Sequence, residues 1–383
     1  MEDRLPPTPD FMLTQNSKFE DDVDLSDDPD IIFVKRVVSI GLSIAFISAV
    51  AYFVILYLSG GTILLKPTEY ALERHTTYQN MIQQNQISFQ GDGVDLCIVD
   101  SGIDLTHPDI DHIVLSGWFD FINAQTTPYD DNGHGTAMAG IIVADGWLQG
   151  VAPQVNLYVA KALSKSGEGS DEIVAEAIDW CVLKGADVIS LSLGGAPGIL
   201  PFTLGGGRSS GDASNDAIDA GIFVVAAAGN DGGENDDGDV AHPSSEELVI
   251  SVGGVMSNGE SWSGSSIGDN NIRSTWPFIP RTDPNKKPEV IAPAHAVPVI
   301  SLDSKWALVD GTSAATAYVS GAIALLLEAR PEMQHETNDG SSSIEEVKQW
   351  IMDSSGPKSG QTGHDDKYGY GVLKIKNLID ASS

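Results

Sequence analysis

The amino-acid sequence predicts an α/β fold with a mainly parallel central sheet, preceded by one transmembrane helix. The first observation is a single uncharged apolar run at residues 37–58. The second is that, from about residue 85, short runs rich in β-branched residues alternate with helical stretches. The third is that these short runs are apolar without alternation, which is typical of parallel strands buried on both faces. With 42% hydrophobic residues in 383, the chain can bury a sizeable core, which excludes a wholly disordered or fibrous protein.

The first 36 residues are predicted to form an acidic disordered tail. They are rich in proline, hold 10 of the 54 Asp and Glu residues, and show little hydrophobic periodicity. Such a segment cannot bury enough apolar surface to offset the entropy lost on folding. It also lacks the positively charged start that secretory signal peptides have.

Residues 37–58 are predicted to be a transmembrane helix, because these 22 residues carry no charge. At 1.5 Å per residue, a helix of this length crosses a hydrocarbon core of about 30 Å. Tyr52 and Tyr57 lie in its second half, where interfacial aromatic residues are expected. Lys35 and Arg36, directly before the run, favour a cytoplasmic N-terminus and a body on the other side. The alternatives that stay open are a buried core helix, an uncleaved leader and the inverted topology.

Residues 59–84 are predicted to be a linker with room for one short helix, because they combine glycine, proline and a polar run. Residues 85–383 are predicted to form one α/β domain. Its predicted strands are 94–99, 155–160, 188–193, 222–228 and 248–252. Its predicted helices are 136–144, 171–183, 214–220, 312–330 and 343–354.

The chain is strongly acidic. It has 21 Lys and Arg against 54 Asp and Glu residues, a net charge of −33. Because nucleic-acid binding needs clustered basic side chains, this balance argues against a nucleic-acid partner. Two interpretations of the acidity stay open: adaptation to high salt, and an acidic surface without a special role.

Four polar residues lie where predicted strands end or predicted helices begin, and each is close to glycine. They are Asp100, His134, Asn230 and Ser313. In open parallel sheets, functional groups gather beyond the carboxyl ends of the strands. We therefore expect these four side chains to lie near one another.

Each of the four residues has a structural and a functional interpretation. A strand-end aspartate such as Asp100 often caps a helix, a lone histidine is often structural, and Asn230 suits a turn. Asn230 also suits an amide donor to an oxyanion. Ser313 suits either an N-cap or a nucleophile whose developing oxyanion faces free backbone N–H groups and the positive end of the helix dipole.

The segments around these residues resemble those of the subtilisin-like serine proteases, or subtilases. The matching motifs are DSGIDLTHPDI around Asp100, NGHGTAMAG around His134, AAAGN ending at Asn230, and GTSAATAYVSGAIALL around Ser313. The resemblance covers about residues 88–383 in unbroken order. It implies a subtilisin-like three-layer fold and a serine endopeptidase.

The resemblance also implies a role for each residue. Ser313 attacks the scissile carbonyl, His134 takes its proton, and Asp100 orients the imidazole. The amide of Asn230 and the backbone N–H of Ser313 hold the oxyanion. The alternative is a catalytically silent subtilase-fold membrane protein that binds peptides, against which the four intact residues argue.

Peptides or proteins are the substrates that the resemblance implies, and the chemistry needs no cofactor. The stretch Ser192, Leu193 and Gly194 looks like the edge on which a substrate pairs as an added strand. Ala228 and Gly229 are expected to shape the pocket for the residue before the cleaved bond.

A structural calcium ion stays an open expectation. Asp109 matches a carboxylate ligand of the family's calcium site, but the loop at 144–149 looks shorter than the loop that commonly supplies the other ligands. The acidic run at 230–239 is a second calcium candidate, with a solvated acidic loop as its alternative.

The two cysteines, Cys97 and Cys181, cannot form a disulfide framework. We expect both to be small buried hydrophobic residues without a part in catalysis.

Overall fold

The computed structural model of the protein describes residues 29–58, 66–195, 208–233, 236, 238–271 and 279–383. They belong to two units, one ending at Leu64 and the other running from Leu65 to Ser383. Most of the predicted acidic tail, residues 1–28, lies outside the described residues.

The described part of the first unit is one helix, α1 (Pro29–Leu58). Among the described residues, two helices are long and apolar enough to cross a membrane: the stretch Phe33–Tyr52 of α1, and Thr312–Ala329. The second is mostly buried within the protein, whereas none of the α1 stretch is buried. The helix predicted over residues 37–58 is therefore present, and its length and composition suit a membrane span or a signal sequence.

The second unit is built on a seven-stranded parallel sheet with the order β2-β3-β1-β4-β5-β6-β7. Its strands are β1 (Asp95–Asp100), β2 (Gly117–Asp120), β3 (Asn156–Lys161), β4 (Val188–Leu191), β5 (Phe223–Ala227), β6 (Ile250–Val255) and β7 (Val290–Pro293). An antiparallel hairpin follows, formed by β8 (Val297–Ser301) and β9 (Lys305–Val309). The predicted parallel sheet is confirmed, and β1, β3, β4, β5 and β6 correspond to the five predicted strands.

Helices cover both faces of the sheet, which is why most of its strand residues are buried. They are α2 (Glu69–Met81), α3 (His134–Val143), α4 (Asp171–Leu183), α5 (Ser210–Asp219), α6 (Thr312–Ala329), α7 (Ser341–Ser354) and α8 (Ile375–Ala381). The α6 helix is apolar on nearly all sides because it runs through the core against α3 and several strands. This arrangement confirms the predicted α/β fold class.

Helix α2 lies within the segment that the sequence predicts to be a linker. The Thr68 side chain caps it by accepting the backbone N–H of Ala71 at 3.1 Å. Tyr78 is completely buried and donates a hydrogen bond to the backbone oxygen of His295. The helix thus packs against the rest of the second unit, although its sequence is too polar to predict this.

The structure corrects the prediction for the cysteines. Cys97 in β1 and Cys181 in α4 are both fully buried, as expected, but they form a disulfide. The two residues are 84 positions apart, and only the packing of α4 beneath β1 brings them together. The bond therefore ties α4 to the strand that ends at Asp100.

Candidate active site

Asp100 and His134 form a hydrogen-bonded pair at the end of β1. The imidazole Nδ1 of His134 lies 2.8 Å from Oδ1 and 2.9 Å from Oδ2 of Asp100. The carboxylate of Asp100 is fully buried, whereas a third of the His134 side chain is exposed. Since Nδ1 faces the carboxylate, it carries a proton, and Nε2 is the nitrogen with a lone pair to offer.

Two glycines allow this close approach. A Cβ atom at Gly135 would lie 2.2 Å from the backbone oxygen of Gly102, and one at Gly102 would lie 2.1 Å from that of Tyr129. Such distances are well inside van der Waals contact, so neither position accepts a larger residue without movement of the backbone. The glycines of the two motifs thus bring the His134 loop against the end of β1.

The charge of Asp100 raises the pKa of His134 above its ordinary value of 6.5. Burial of the imidazole works in the opposite direction, and the neighbouring Asp130 adds to the increase. The pair therefore stabilises the protonated imidazolium, which is the form that a general base adopts after it has taken a proton.

Asp130 fixes the loop that carries His134. Its carboxylate accepts hydrogen bonds from the backbone N–H groups of Asn132, Gly133 and Thr136 and from the hydroxyls of Thr136 and Ser101, at 2.7–3.0 Å. Burial of this carboxyl group would raise its pKa, but these hydrogen bonds outweigh it and lower the pKa. Asp130 thus stays ionised and holds the loop in one conformation.

Ser313 is the second residue of α6, directly after the Gly311-Thr312 turn. Its hydroxyl donates to the backbone oxygen of Ser192 at 2.9 Å, and the hydroxyl of Ser192 donates back to the oxygen of Ser313 at 3.0 Å. Within the described residues, no hydrogen bond joins Ser313 to His134. Catalytic hydrogen bonds are often long before substrate binds.

Asn230 is bound to the start of α6. Its Oδ1 accepts the backbone N–H of Thr312 at 2.9 Å and the hydroxyl of the same residue at 3.0 Å. With Oδ1 held in this way, the Nδ2 group supplies the remaining hydrogen-bond donors. A Cβ atom at Gly311 would lie 3.6 Å from Nδ2, which places this amide beside the helix start that carries Ser313.

The predicted substrate-binding residues lie around this helix start. Exposure increases from Ser192, which is buried, through the half-buried Leu193 to the exposed Gly194. Ala228 is fully buried, and at Gly229 a Cβ atom would lie 2.3 Å from the hydroxyl of Ser266. The edge predicted for a substrate strand therefore becomes accessible at Leu193 and Gly194.

Asp109 does not fit the calcium role expected of it. This buried carboxylate accepts the backbone N–H groups of Trp147 and Leu148, both at 3.1 Å, and the indole N–H of Trp306 at 2.8 Å. A calcium ion needs six to eight oxygen ligands, whereas these three neighbours are N–H donors. The short loop at 144–149 packs directly on the carboxylate and supplies N–H donors rather than oxygen ligands.

The second calcium candidate, at 230–239, is described only in part. Asp239 forms a bidentate pair with Arg281 at 2.7 and 2.8 Å, and Asp236 accepts the backbone N–H of Ile267 at 3.0 Å. Among the residues that the structure describes, no group of three or more His, Cys, Asp or Glu side chains is arranged to hold a metal ion.

Sequence reasoning did not single out Asp130, or Lys161 at the end of β3. A signal for the first is an aspartate four residues before His134 in a glycine-containing turn. A signal for the second is a lysine that ends an otherwise apolar strand. Neither signal shows by itself which atoms the side chain of Asp130 or of Lys161 contacts.

Comparison with known proteins places these motifs in a family. The sequence pattern of the Subtilase family matches residues 91–371. Subtilisin DY of Bacillus licheniformis is 33% identical over 248 residues, covering 64% of this chain and 80% of that protein. Serine protease AprX of Bacillus subtilis (strain 168) is 30% identical over 326 residues, covering 78% of this chain and 69% of that protein. Subtilisin NAT of Bacillus subtilis subsp. natto is 32% identical over 247 residues, covering 63% of this chain but 58% of that protein.

Proposed function

This chain belongs to the Subtilase family, and on that premise we propose that it is a membrane-anchored serine endopeptidase. The observation that carries the proposal is the pairing of His134 with the buried Asp100 at 2.8 and 2.9 Å. Ser313 at the start of α6 and the adjacent Asn230 amide complete the set of groups that acyl transfer needs.

In the proposed mechanism, Ser313 Oγ attacks the carbonyl carbon of the substrate peptide bond while His134 Nε2 takes the hydroxyl proton. Asp100 stabilises the imidazolium that forms. His134 then gives the proton to the leaving amine, which breaks the C–N bond and leaves an acyl group on Ser313. A water molecule, activated by His134, hydrolyses this ester and restores the serine.

The tetrahedral intermediate carries a negative oxygen that needs donors. Nδ2 of Asn230 and the backbone N–H of Ser313 are the two donors that we assign to it. Each such donor lowers the barrier by roughly 2.7–4 kcal/mol in serine proteases. The first turn of α6 adds a favourable dipole, because its N–H groups have no partner within the helix.

Peptides or proteins are the substrates that we propose. An extended segment would pair with the edge formed by Ser192, Leu193 and Gly194, along which the exposure of the residues increases. The side chain before the cleaved bond would enter the space beside Ala228 and Gly229. The bond between the Ser313 hydroxyl and the Ser192 oxygen links this edge to the nucleophile.

We further propose that residues 37–58 anchor the enzyme in a membrane, with the catalytic domain outside the cytoplasm. The exposed apolar surface of α1 supports the anchor. The Cys97–Cys181 disulfide supports the location, because such bonds persist in oxidising compartments. Protease protection of the catalytic domain in closed vesicles tests the topology. If the domain lies outside the cytoplasm, it is protected only in vesicles whose cytoplasmic face points outward. Protection only in vesicles whose cytoplasmic face points inward establishes the inverted topology.

The enzyme proposal is tested by labelling with a serine-directed fluorophosphonate and by hydrolysis of a peptide library. We expect wild type to label and to cleave, and Ser313→Ala to do neither. The matched control is Ser320→Ala, because Ser320 lies two turns further along α6 and its hydroxyl donates to that of Ser190 in the core. Absence of labelling that depends on Ser313, in a folded protein, would instead support the silent peptide-binding alternative.

A further inference from the structure

Lys161, the last residue of β3, is a fully buried cation. It lies opposite Asp100 in the parallel pairing of β3 with β1. A buried ammonium group destabilises a protein unless its charge is compensated and its protons are bonded. Its position and its burial therefore call for an explanation beyond packing.

The ammonium group has a complete set of partners. Its three protons meet three acceptors: the backbone oxygen of Ser101 at 2.5 Å, Asp131 Oδ1 at 2.7 Å, and the backbone oxygen of Leu163 at 3.0 Å. The ring of Tyr129 lies 4.9 Å from Nζ and adds a cation–π contact. Each N–H donor of the ammonium group thus has an acceptor.

Two of the three acceptors come from the two segments that present the Asp100–His134 pair, and the third, Leu163, directly follows β3. Ser101 directly follows Asp100, and Asp131 lies three residues before His134. One ammonium group thus joins the turn after β1 to the loop before α3. We propose that Lys161 is a positioning residue that holds Asp100 and His134 at hydrogen-bond distance, an inference that rests on the proposed function.

A second set of buried lysines shows what a purely structural role looks like. Lys348 and Lys287 both bond to the buried carboxylate of Glu289, at 2.7 and 2.9 Å. Their remaining contacts within the described residues are backbone oxygens near residues 247–249. Lys348 is as buried as Lys161 but contacts neither segment of the site, so it is a matched control.

The proposal separates turnover from substrate binding. Loss of the Lys161 ammonium removes the bond to Asp131 from the loop before His134, which Asp130 still holds. A small displacement of a catalytic group lowers the rate by up to about 100-fold. The edge at Ser192 to Gly194 is not bonded to Lys161 and keeps its geometry. We therefore expect kcat to fall while KM stays nearly constant.

The experiment measures kcat and KM of the full chain on a peptide substrate, with active sites counted by fluorophosphonate labelling. We expect Lys161→Met to lower kcat per active site about 10- to 100-fold, with KM changed less than about threefold. Asp131→Asn, whose side chain is one third exposed, should lower kcat in the same direction by a smaller factor. Lys348→Met should lower the melting temperature and leave kcat per active site unchanged.

Two outcomes overturn the proposal. One is a wild-type kcat per active site in both Lys161→Met and Asp131→Asn, and the other is an equal loss of kcat in Lys348→Met. If Lys161→Met does not fold, Asp131→Asn decides, because its partially exposed side chain can be changed without a core cavity. If wild type itself neither labels at Ser313 nor cleaves, the proposed function fails rather than the role of Lys161.

Discussion

Two buried carboxylates, Asp100 and Asp109, lie nine residues apart after the same strand and differ in their partners. Asp100 faces the imidazole of His134 and accepts one backbone N–H, from Ser101. Asp109 faces two backbone N–H groups and the indole of Trp306. One carboxylate has a partner that can gain or lose a proton, whereas every donor on the other keeps its proton.

This difference separates a chemical role from a structural one. An imidazole beside a fixed negative charge gains basicity and can move a proton during a reaction. Amide and indole donors beside the same charge only hold chain segments together. For Asp109 these segments are the turn at 144–149 and the hairpin that carries Trp306. Under the proposed function, the same residue type, equally buried, therefore orients a catalytic base at Asp100 and joins chain segments at Asp109.

Asp100→Asn is the variant with the largest expected effect on the comparison of Asp100 with Asp109. The asparagine amide has the shape of the carboxylate but cannot hold the imidazole of His134 in the required tautomer or stabilise its charged form. We expect kcat to fall on the order of 10⁴-fold, measured with a peptide substrate on a folded sample. Asp109→Asn is the control, and a fall of similar size in that variant would contradict the division of roles.

Asp109→Asn should act on stability instead. Its amide NH₂ would face N–H donors and leave at least one of them without an acceptor, which costs about 1–3 kcal/mol in the free energy of unfolding. Denaturant unfolding measures this loss, and kcat well below the melting temperature should stay near wild type.

Trp306→Phe refines this test by removing one of the three donors. Trp306→Phe should therefore lower the free energy of unfolding by less than Asp109→Asn does. A larger loss would show that the packing of the indole, rather than the carboxylate, holds the hairpin.

The pH dependence of the reaction should follow the Asp100 pair and not Asp109. Asp100 raises the pKa of His134 above 6.5, so the imidazole becomes a competent base only above that pH. We expect kcat/KM to rise with pH through a pKa above 6.5, and to show the same rise in Asp109→Asn. A rise with a pKa below 6.5 in wild type would contradict the pairing.

The same shift predicts a stability contribution of defined sign. A raised pKa in the folded state means that the folded protein holds the His134 proton more tightly than the unfolded chain does. The contribution is therefore complete below pH 6.5 and is lost as the pH rises through the folded-state pKa.

Removal of calcium should have the smallest effect. Since N–H donors occupy the carboxylate of Asp109, a chelator should not lower the melting temperature of wild type more than that of Asp109→Asn. Thermal unfolding with and without EDTA measures this. A clear drop with EDTA that is absent in Asp109→Asn would place a cation at this carboxylate and overturn the comparison.

Much of the fold could be predicted because its signals are local. Apolar runs such as 188–193 and 222–228 are buried strands whatever surrounds them. Glycine-flanked residues such as His134 occupy backbone positions that a turn and a helix start require. The sequence allowed a short helix at 59–84 but did not predict that α2 packs on the domain, since the burial of Tyr78 depends on the surface that it contacts.

The sequence by itself determined the class of the fold, the order of its elements and the residues at the strand ends and helix starts. These follow from hydrophobic period, glycine placement and recognisable motifs, which are properties of neighbouring residues. The tertiary structure alone decided that Cys97 meets Cys181, that Asp109 accepts three N–H groups, and that Lys161 joins the turn after β1 to the loop before α3. Each of these contacts joins residues that are far apart in the chain. The type of a residue, whether charged or a thiol, does not determine which distant group will pack against it.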